Sequence, residues 1–356
     1  MSSDKPFDIE KWKQKVLQFP HKIVQIKCRG INMIKYAVIG RGKIADQYIE
    51  GAKLSGRFEL IAVYSRELET GTQYAKKHGV TKVYTQLNEM IDDREIDAVY
   101  IASPNSCHEW QSEMLLKGGK HVICEKPIVT SAKEYQRLKN LADSLGLIYM
   151  EAIIPIYGKS RKRIKDAMKT VGDIALARID YCQLSSRYDR FVSGEQVNIF
   201  DMSLAAGTLM DLGVYCVYAT VDLFGMPKNI KASASYLKNG ADGSGSAIFE
   251  YDTFTVMLTY SKVGQSVAPS EIIGDKGSLV IDRIGLYMGA YLVQNNERIP
   301  LYDEEVKEKL MSYEATAFAK FIGGEELEEY EENSQLCLAV HSCMDEIKRV
   351  AGIKYS

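Results

Sequence analysis

Ile34-Lys35-Tyr36-Ala37-Val38-Ile39-Gly40-Arg41-Gly42-Lys43-Ile44-Ala45 is the stretch that decides the fold. Residues 36–39 are a short apolar run rich in β-formers, the composition of a strand buried on both faces. Gly40, Gly42 and Ala45 follow as G-x-G-x-x-A, and a helical pattern through Tyr48 and Ile49 begins at once. Each small residue answers a physical demand. Gly40 permits a tight turn, and Gly42 lets backbone N–H groups reach a pyrophosphate. Ala45 lets the helix lie close on its strand with its N-terminus aimed at the phosphates. Strand, glycines and helix in that order predict a dinucleotide site to which Gly40, Arg41, Gly42, Lys43 and Ile44 contribute.

Outward from this turn, residues 58–64 read as the second strand, closed by Ser65-Arg66. An acidic side chain near this point would take the ribose 2′-hydroxyl of NAD, and none occurs before Glu67. A serine beside an arginine suits a 2′-phosphate better, because the guanidinium supplies charge-assisted donors. The expectation is NADP, with NAD as the alternative. Residues 98–102 form an apolar strand closed by Ser103-Pro104-Asn105, and Ser106 with Glu109 has the spacing of a capping box. Residues 121–124 form another, ending in Glu125-Lys126-Pro127; Ser131 with Glu134 repeats the box, and Gly146 stops that helix. Alternating strand and helix predicts an α/β fold with a doubly wound parallel sheet, whose ligands sit at the carboxyl ends of the strands. Ser65-Arg66, Ser103–Asn105 and Glu125–Pro127 therefore converge on one edge. Lys126 ends a buried strand and is locked by a proline, which marks it as a candidate catalytic residue.

After Glu151 the pattern changes to long alternating stretches at 174–184, 230–237, 247–260, 270–281 and 286–293. Turn signals punctuate them, which predicts a large, mainly antiparallel sheet with one face on a core. A helical segment at 207–224 carries Asp211, Gly213 and Tyr215, and helical pattern returns at 304–322 and 336–350. The acidic run 325–332 reads as a solvated loop. The organisation expected is an extension at 1–32, a dinucleotide-binding domain at 33–150 and a substrate-binding and dimerisation domain at 151–356. In the extension, 9–19 has the pattern of a short basic helix ended by Pro20. Met33 is a candidate natural start.

The 45 basic and 47 acidic residues nearly cancel, which gives no electrostatic case for nucleic acid or an anionic membrane. No apolar run approaches the roughly 18 residues of a span. Seven cysteines without a C-x-x-C pair look like reduced thiols, so a cytoplasmic protein is expected. His78, His121 and His341 lack partners at metal-ligand spacing, and no metal is expected. Five alternating strands exceed what the helices can cover, which points to a homodimer or a dimer of dimers through the sheet.

Gly40-x-Gly42-x-x-Ala45, Ser103-Pro104-Asn105-x-x-His108, Glu125-Lys126-Pro127 and Asp211-x-Gly213-x-Tyr215-Cys216 occur in that order. With them the chain resembles the Gfo/Idh/MocA oxidoreductases, in particular the branch of trans-dihydrodiol dehydrogenase and glucose–fructose oxidoreductase; residues 311–315 also look like a late segment of the dihydrodiol dehydrogenases. It departs from the family at Tyr215, where many sugar-oxidising members carry histidine, and at Ala206-Gly207, where a Gly-Gly pair is usual. The resemblance implies hydride transfer between nicotinamide and a sugar, polyol, cyclic diol or related carbonyl. It places Lys126 and Tyr215 on either side of the reacting carbon, with Tyr215 as general acid/base. An unperturbed phenol, with a pKa of about 10, is a poor base near neutrality, and a lysine ammonium would favour the phenolate. Asp211 would orient the substrate, and His108 would make a structural hydrogen bond near the nicotinamide. An NAD-dependent glycosidase using the same residues and a non-catalytic dinucleotide sensor are the alternatives.

Overall fold

The computed structural model describes residues 33–302 and 306–355. The extension 1–32 and the short helix expected there lie outside them. Two compact units divide the described chain: residues 33–161 with 306–331, and residues 162–302 with 332–355.

The first unit is built on β1 (Ile34–Ile39), β2 (Phe58–Tyr64), β3 (Lys82–Tyr84), β4 (Ala98–Ile101), β5 (His121–Glu125) and β6 (Tyr149–Ala152). All pairs are parallel and the order is β3-β2-β1-β4-β5-β6. That is the order of a dinucleotide-binding sheet, with its switch point between β1 and β4. Residues 36–39 and all of β4 are buried, as a sheet covered on both faces requires. On one face Tyr48 of the helix Lys43–Ser55 stacks on Tyr100 at 3.7 Å, and Tyr36 packs edge-on against both Tyr48 and Phe58. The capping box of Ser131 and Glu134 forms, and Gly146 ends that helix at φ 69°. The one expected at Ser106 does not form. The helix begins at Asn105, so Ser106 already lies inside it.

Residues 306–331 correct the expected domain division. The helix Lys307–Ile322, from late in the chain, packs on the first unit. Gly51 lets it approach closely, since a Cβ there would lie 2.7 Å from that of Met311, and Phe318 stacks on Phe58 at 5.9 Å. The acidic run is also not a loop. Glu328 and Glu329 occupy the first turn of the helix Leu327–Ala351, where negative charge suits the positive end of the helix dipole.

The second unit holds one eight-stranded sheet: β7 (Ile174–Cys182), β8 (Asn229–Tyr236), β9 (Asp242–Glu250), β10 (Thr255–Ser261), β11 (Ser270–Gly274), β12 (Gly277–Arg283), β13 (Met288–Gln294) and β14 (Glu297–Pro300). Only the central pair β7–β10 is parallel. Two of the five long stretches expected from sequence are hairpins. The stretch 247–260 folds back at Tyr251, and 270–281 at Asp275-Lys276. One face buries Ile179, Phe249, Val256, Leu258, Ile272 and Leu279. Across the other runs the row Lys231, Ile248, Met257, Arg178, Glu271, in which Ile248 and Met257 are exposed and Arg178 pairs with Glu271. This open face is therefore mixed rather than broadly apolar. Contrary to the expectation that no apolar run approaches the length of a span, the stretch Met202–Phe224 is apolar and long enough to cross a membrane, but most of it is buried.

Candidate active site

On the first unit the carboxyl edge of the sheet is shaped by the two glycines. Gly40 has φ +111°, and a Cβ on it would lie 2.4 Å from the Ala102 carbonyl oxygen, so β1 and β4 can close together only over glycine. Gly42 is different. It caps the helix Lys43–Ser55 with no side-chain hydrogen bond, and a Cβ on it would meet nothing within 4 Å. The start of that helix is thus open beside Gly42 and uncapped by any side chain, the arrangement a pyrophosphate can fill. Arg41 and Lys43 are exposed on either side, and Ile44 is half-buried.

Ser65 departs from expectation. Its hydroxyl is buried and donates to the Glu67 carbonyl at 2.9 Å, and a side chain at Gly71 would collide with it. It shapes the turn after β2. Arg66 is exposed beside it and is left as the charged candidate for a 2′-phosphate.

At the ends of β4 and β5 the loops are tied together. His108 Nδ1 lies 2.8 Å from the Pro127 carbonyl and Nε2 2.8 Å from that of Ser103. Burial holds its pKa down, against the pull of both carbonyls. Ser103 Oγ also donates to Gln111 at 2.6 Å, while Pro104 and Asn105 open the following helix. Glu125 is buried and accepts from the Tyr100 hydroxyl at 2.5 Å, and Glu151 accepts from the Ile128 amide at 2.9 Å. Between these anchors Lys126 is half-buried, joined to Pro127 by a cis peptide bond.

On the second unit Asp211 and Tyr215 share one irregular helix. Leu209–Gly213 is a π turn that continues into the α-helix Val214–Phe224. Such turns recur at functional sites because they re-aim side chains. This one is pinned at its start: Asp242 Oδ2 accepts from the Leu209 amide at 2.6 Å, and Thr208 Oγ1 lies 2.8 Å from the Gly243 carbonyl. Gly207 is required there, since a Cβ would fall 1.9 Å from Asp242 Oδ1. Gly213 lets the helix lie on the Tyr260 ring, with a Cβ position 3.2 Å from its atoms. Asp211 is then paired with Lys262, and Tyr215 packs at 5.6 Å against the ring of Tyr181.

Lys262, Asp242 and Tyr181 are absent from the sequence-derived site. Lys262 carries the signal that singled out Lys126, a cation directly after an apolar strand, in Tyr260-Ser261-Lys262. Asp242 was visible only as half of a turn signal. His341, expected to lack a partner at metal-ligand spacing, has one: Cys337 lies one turn before it, and both are buried on the helix Leu327–Ala351.

The order β3-β2-β1-β4-β5-β6 with a glycine-opened helix start is that of a dinucleotide-binding sheet, and the same chain adds a mostly antiparallel sheet and a helix that carries an aspartate and a tyrosine. Residues 34–153 match the oxidoreductase family with an NAD-binding Rossmann fold, and residues 163–280 match the Gfo/Idh/MocA C-terminal domain. The chain is 38% identical to a scyllo-inositol 2-dehydrogenase (NADP+) of Bacillus subtilis, over 91% of this chain and 98% of that protein. It is 26% identical to a trans-1,2-dihydrobenzene-1,2-diol dehydrogenase of Xenopus tropicalis, over 90% and 99%. The chain belongs to the Gfo/Idh/MocA oxidoreductases and is an NAD(P)-dependent enzyme of that family. Among solved structures, a 3-ketoreductase of Actinomadura kijaniata, in complex with NADP and TDP-benzene, has the same fold, with TM-score 0.79 and 21% identity over 90% of this chain and 98% of that one.

Proposed function

We propose that the protein oxidises a ring hydroxyl of a neutral cyclic polyol or diol to the ketone, and reduces the ketone in reverse, with NADP as its nucleotide. The observation that carries this reading is the ion pair between Asp211, on the helix that bears Tyr215, and Lys262, directly after β10. It offers a charged acceptor to substrate hydroxyls without leaving net charge to be matched. The inositol and dihydrodiol relatives act on such rings, which supports it. Arg66, exposed and next to a buried serine, supports NADP.

Gly40, Arg41, Gly42, Lys43 and Ile44 would hold the pyrophosphate, with the loops at Ser103–Asn105 and Glu125–Pro127 bordering the nicotinamide, which supplies hydride exchange when bound. Asp211 binds a substrate hydroxyl and fixes the ring. Tyr215 takes the proton from the hydroxyl being oxidised and returns it in reduction. Lys126 supplies positive charge that favours the phenolate. His108 donates its N–H to one of the two carbonyls that flank it, those of Pro127 and Ser103, and has a structural role.

The test is turnover of scyllo-inositol, myo-inositol and a trans-dihydrodiol with each nucleotide. Nucleotide reduction with at least one of them, faster with NADP, is expected. No turnover of any ring polyol with either nucleotide overturns the proposal. We place the protein in the cytoplasm as a homodimer. The free thiols Cys107, Cys124, Cys182, Cys216, Cys337 and Cys343 support the first, and the uncovered sheet face with exposed Ile248 and Met257 supports the second.

A further inference from the structure

Lys262 is a buried cation whose own part in the reaction has not been assigned. Its side chain is 7% exposed, whereas that of its partner Asp211 is 40% exposed. Burying an ammonium is unfavourable unless its partner is well placed, and replacing such a pair by apolar residues is often neutral for stability. Stability alone is therefore a weak reason for a lysine here.

The surroundings give a stronger one. The backbone of Lys262 is fixed at both ends, its N–H donating to the Gly243 carbonyl at 3.0 Å and its carbonyl accepting from Ser185 at 2.9 Å. The same carbonyl of Gly243, at the start of β9, receives Thr208, and its neighbour Asp242 holds the Leu209 amide. Both the π turn and the lysine are thus referenced to one short stretch, Asp242-Gly243. An ammonium fixed in this way sets where Asp211 Oδ2 lies, and with it the direction of the rest of the carboxylate. It also cancels the charge of Asp211 locally. A lone carboxylate would favour a cationic ligand. A neutralised one favours a neutral hydroxyl donor.

We infer that Lys262 is a positioning residue. It locks Asp211 as a fixed acceptor for the substrate hydroxyl next to the carbon being oxidised, and so makes the enzyme selective for vicinal diols over isolated alcohols. The inference rests on the polyol reading above and narrows it.

The test compares scyllo-inositol with a deoxy-inositol lacking the hydroxyl beside the oxidised carbon, in the full-length enzyme with NADP. Lys262→Met should raise KM for inositol about 10- to 100-fold, the worth of a charge-assisted hydrogen bond, with kcat changed less than about threefold. The deoxy substrate, already weak with the wild type, should lose less than about threefold more. Lys262→Arg, which keeps the charge, should recover most of the loss. Asp211→Asn should behave like Lys262→Met, and the double variant should be little worse than either. NADP affinity by fluorescence titration should stay unchanged. Where Lys262→Met does not fold, Lys262→Gln carries the same comparison, with its loss again confined to inositol. Equal losses on the two substrates, or a wild-type KM for inositol, would overturn the inference. A wild-type enzyme inert towards every ring polyol would instead overturn the functional proposal.

Discussion

Asp242→Asn is the change whose magnitude follows most directly from the structure. Asp242 is 1% exposed, and burial lifts its carboxyl from the ordinary 3.8 to about 6, against the opposing pull of the Leu209 amide and of Lys262. Its folded value therefore lies above its unfolded value. The stability associated with the protonated form is complete below about pH 4 and is lost as pH rises towards 6. Two pH units of difference correspond to about 3 kcal/mol, reached in full above about pH 6.5. Asparagine has the same shape, still accepts from the Leu209 amide, and does not titrate. The assay is urea unfolding of both proteins between pH 4 and 7.5. Relative to the wild type, Asp242→Asn should gain steadily up to about pH 6.5, by about 3 kcal/mol in all, and then level off. The difference between the curves matters, because it removes every other titrating group. A flat difference across this range would refute the argument, since it would mean that the carboxyl loses its proton at an ordinary value.

Gly40→Ala should destabilise the first unit by about 2 kcal/mol or more, since the new Cβ meets the Ala102 carbonyl at a φ that alanine avoids; unchanged unfolding midpoints would show that β1 can shift. Arg66→Ala should weaken NADP about 10- to 100-fold in titrations while leaving NAD within a few-fold, and equal loss would mean that Arg66 does not read a phosphate. Tyr215→Phe should retain NADP binding but lose about 10²–10⁴ in turnover; Lys126→Ala should lose turnover as well, with the double variant far better than the product of the two. Near-normal turnover in Tyr215→Phe would move the proton transfer to another group. Met257→Lys on the open sheet face should convert a dimer to a monomer in sedimentation, and a wild type already monomeric at micromolar concentration would refute that assembly.

Much of the first unit was legible because its signals are local. The glycine turn, the buried runs and the box at Ser131 each combine residues a few positions apart, and local chemistry is what a sequence displays. Ser65 shows the limit. It does follow β2, but a serine hydroxyl there can face a phosphate or its own turn, and its bond to the Glu67 carbonyl is a matter of loop geometry that residue type does not display. The hairpins hidden in 247–260 and 270–281 were lost because alternation continues across a two-residue turn. Lys262 and Asp242 were invisible as a site because Asp211 lies 51 residues from one and Leu209 lies 33 from the other. Periodicity carries no information at that range.

The Gly51–Met311 contact has a consequence for synthesis. The nucleotide-binding unit is interrupted in sequence, and its last piece, residues 306–331, leaves the ribosome only after the whole of 162–302. At ordinary translation speeds that interval is on the order of ten to thirty seconds. Throughout it, the groove on the helix Lys43–Ser55 that later receives Met311, and the face of Phe58 that later receives Phe318, stay without their partners. The nascent first unit must wait, partly open and with apolar surface available to chaperones, while a second unit is made in the middle of it. A chain cut after residue 161 would keep every residue of the glycine turn and still lack the helix that closes the unit.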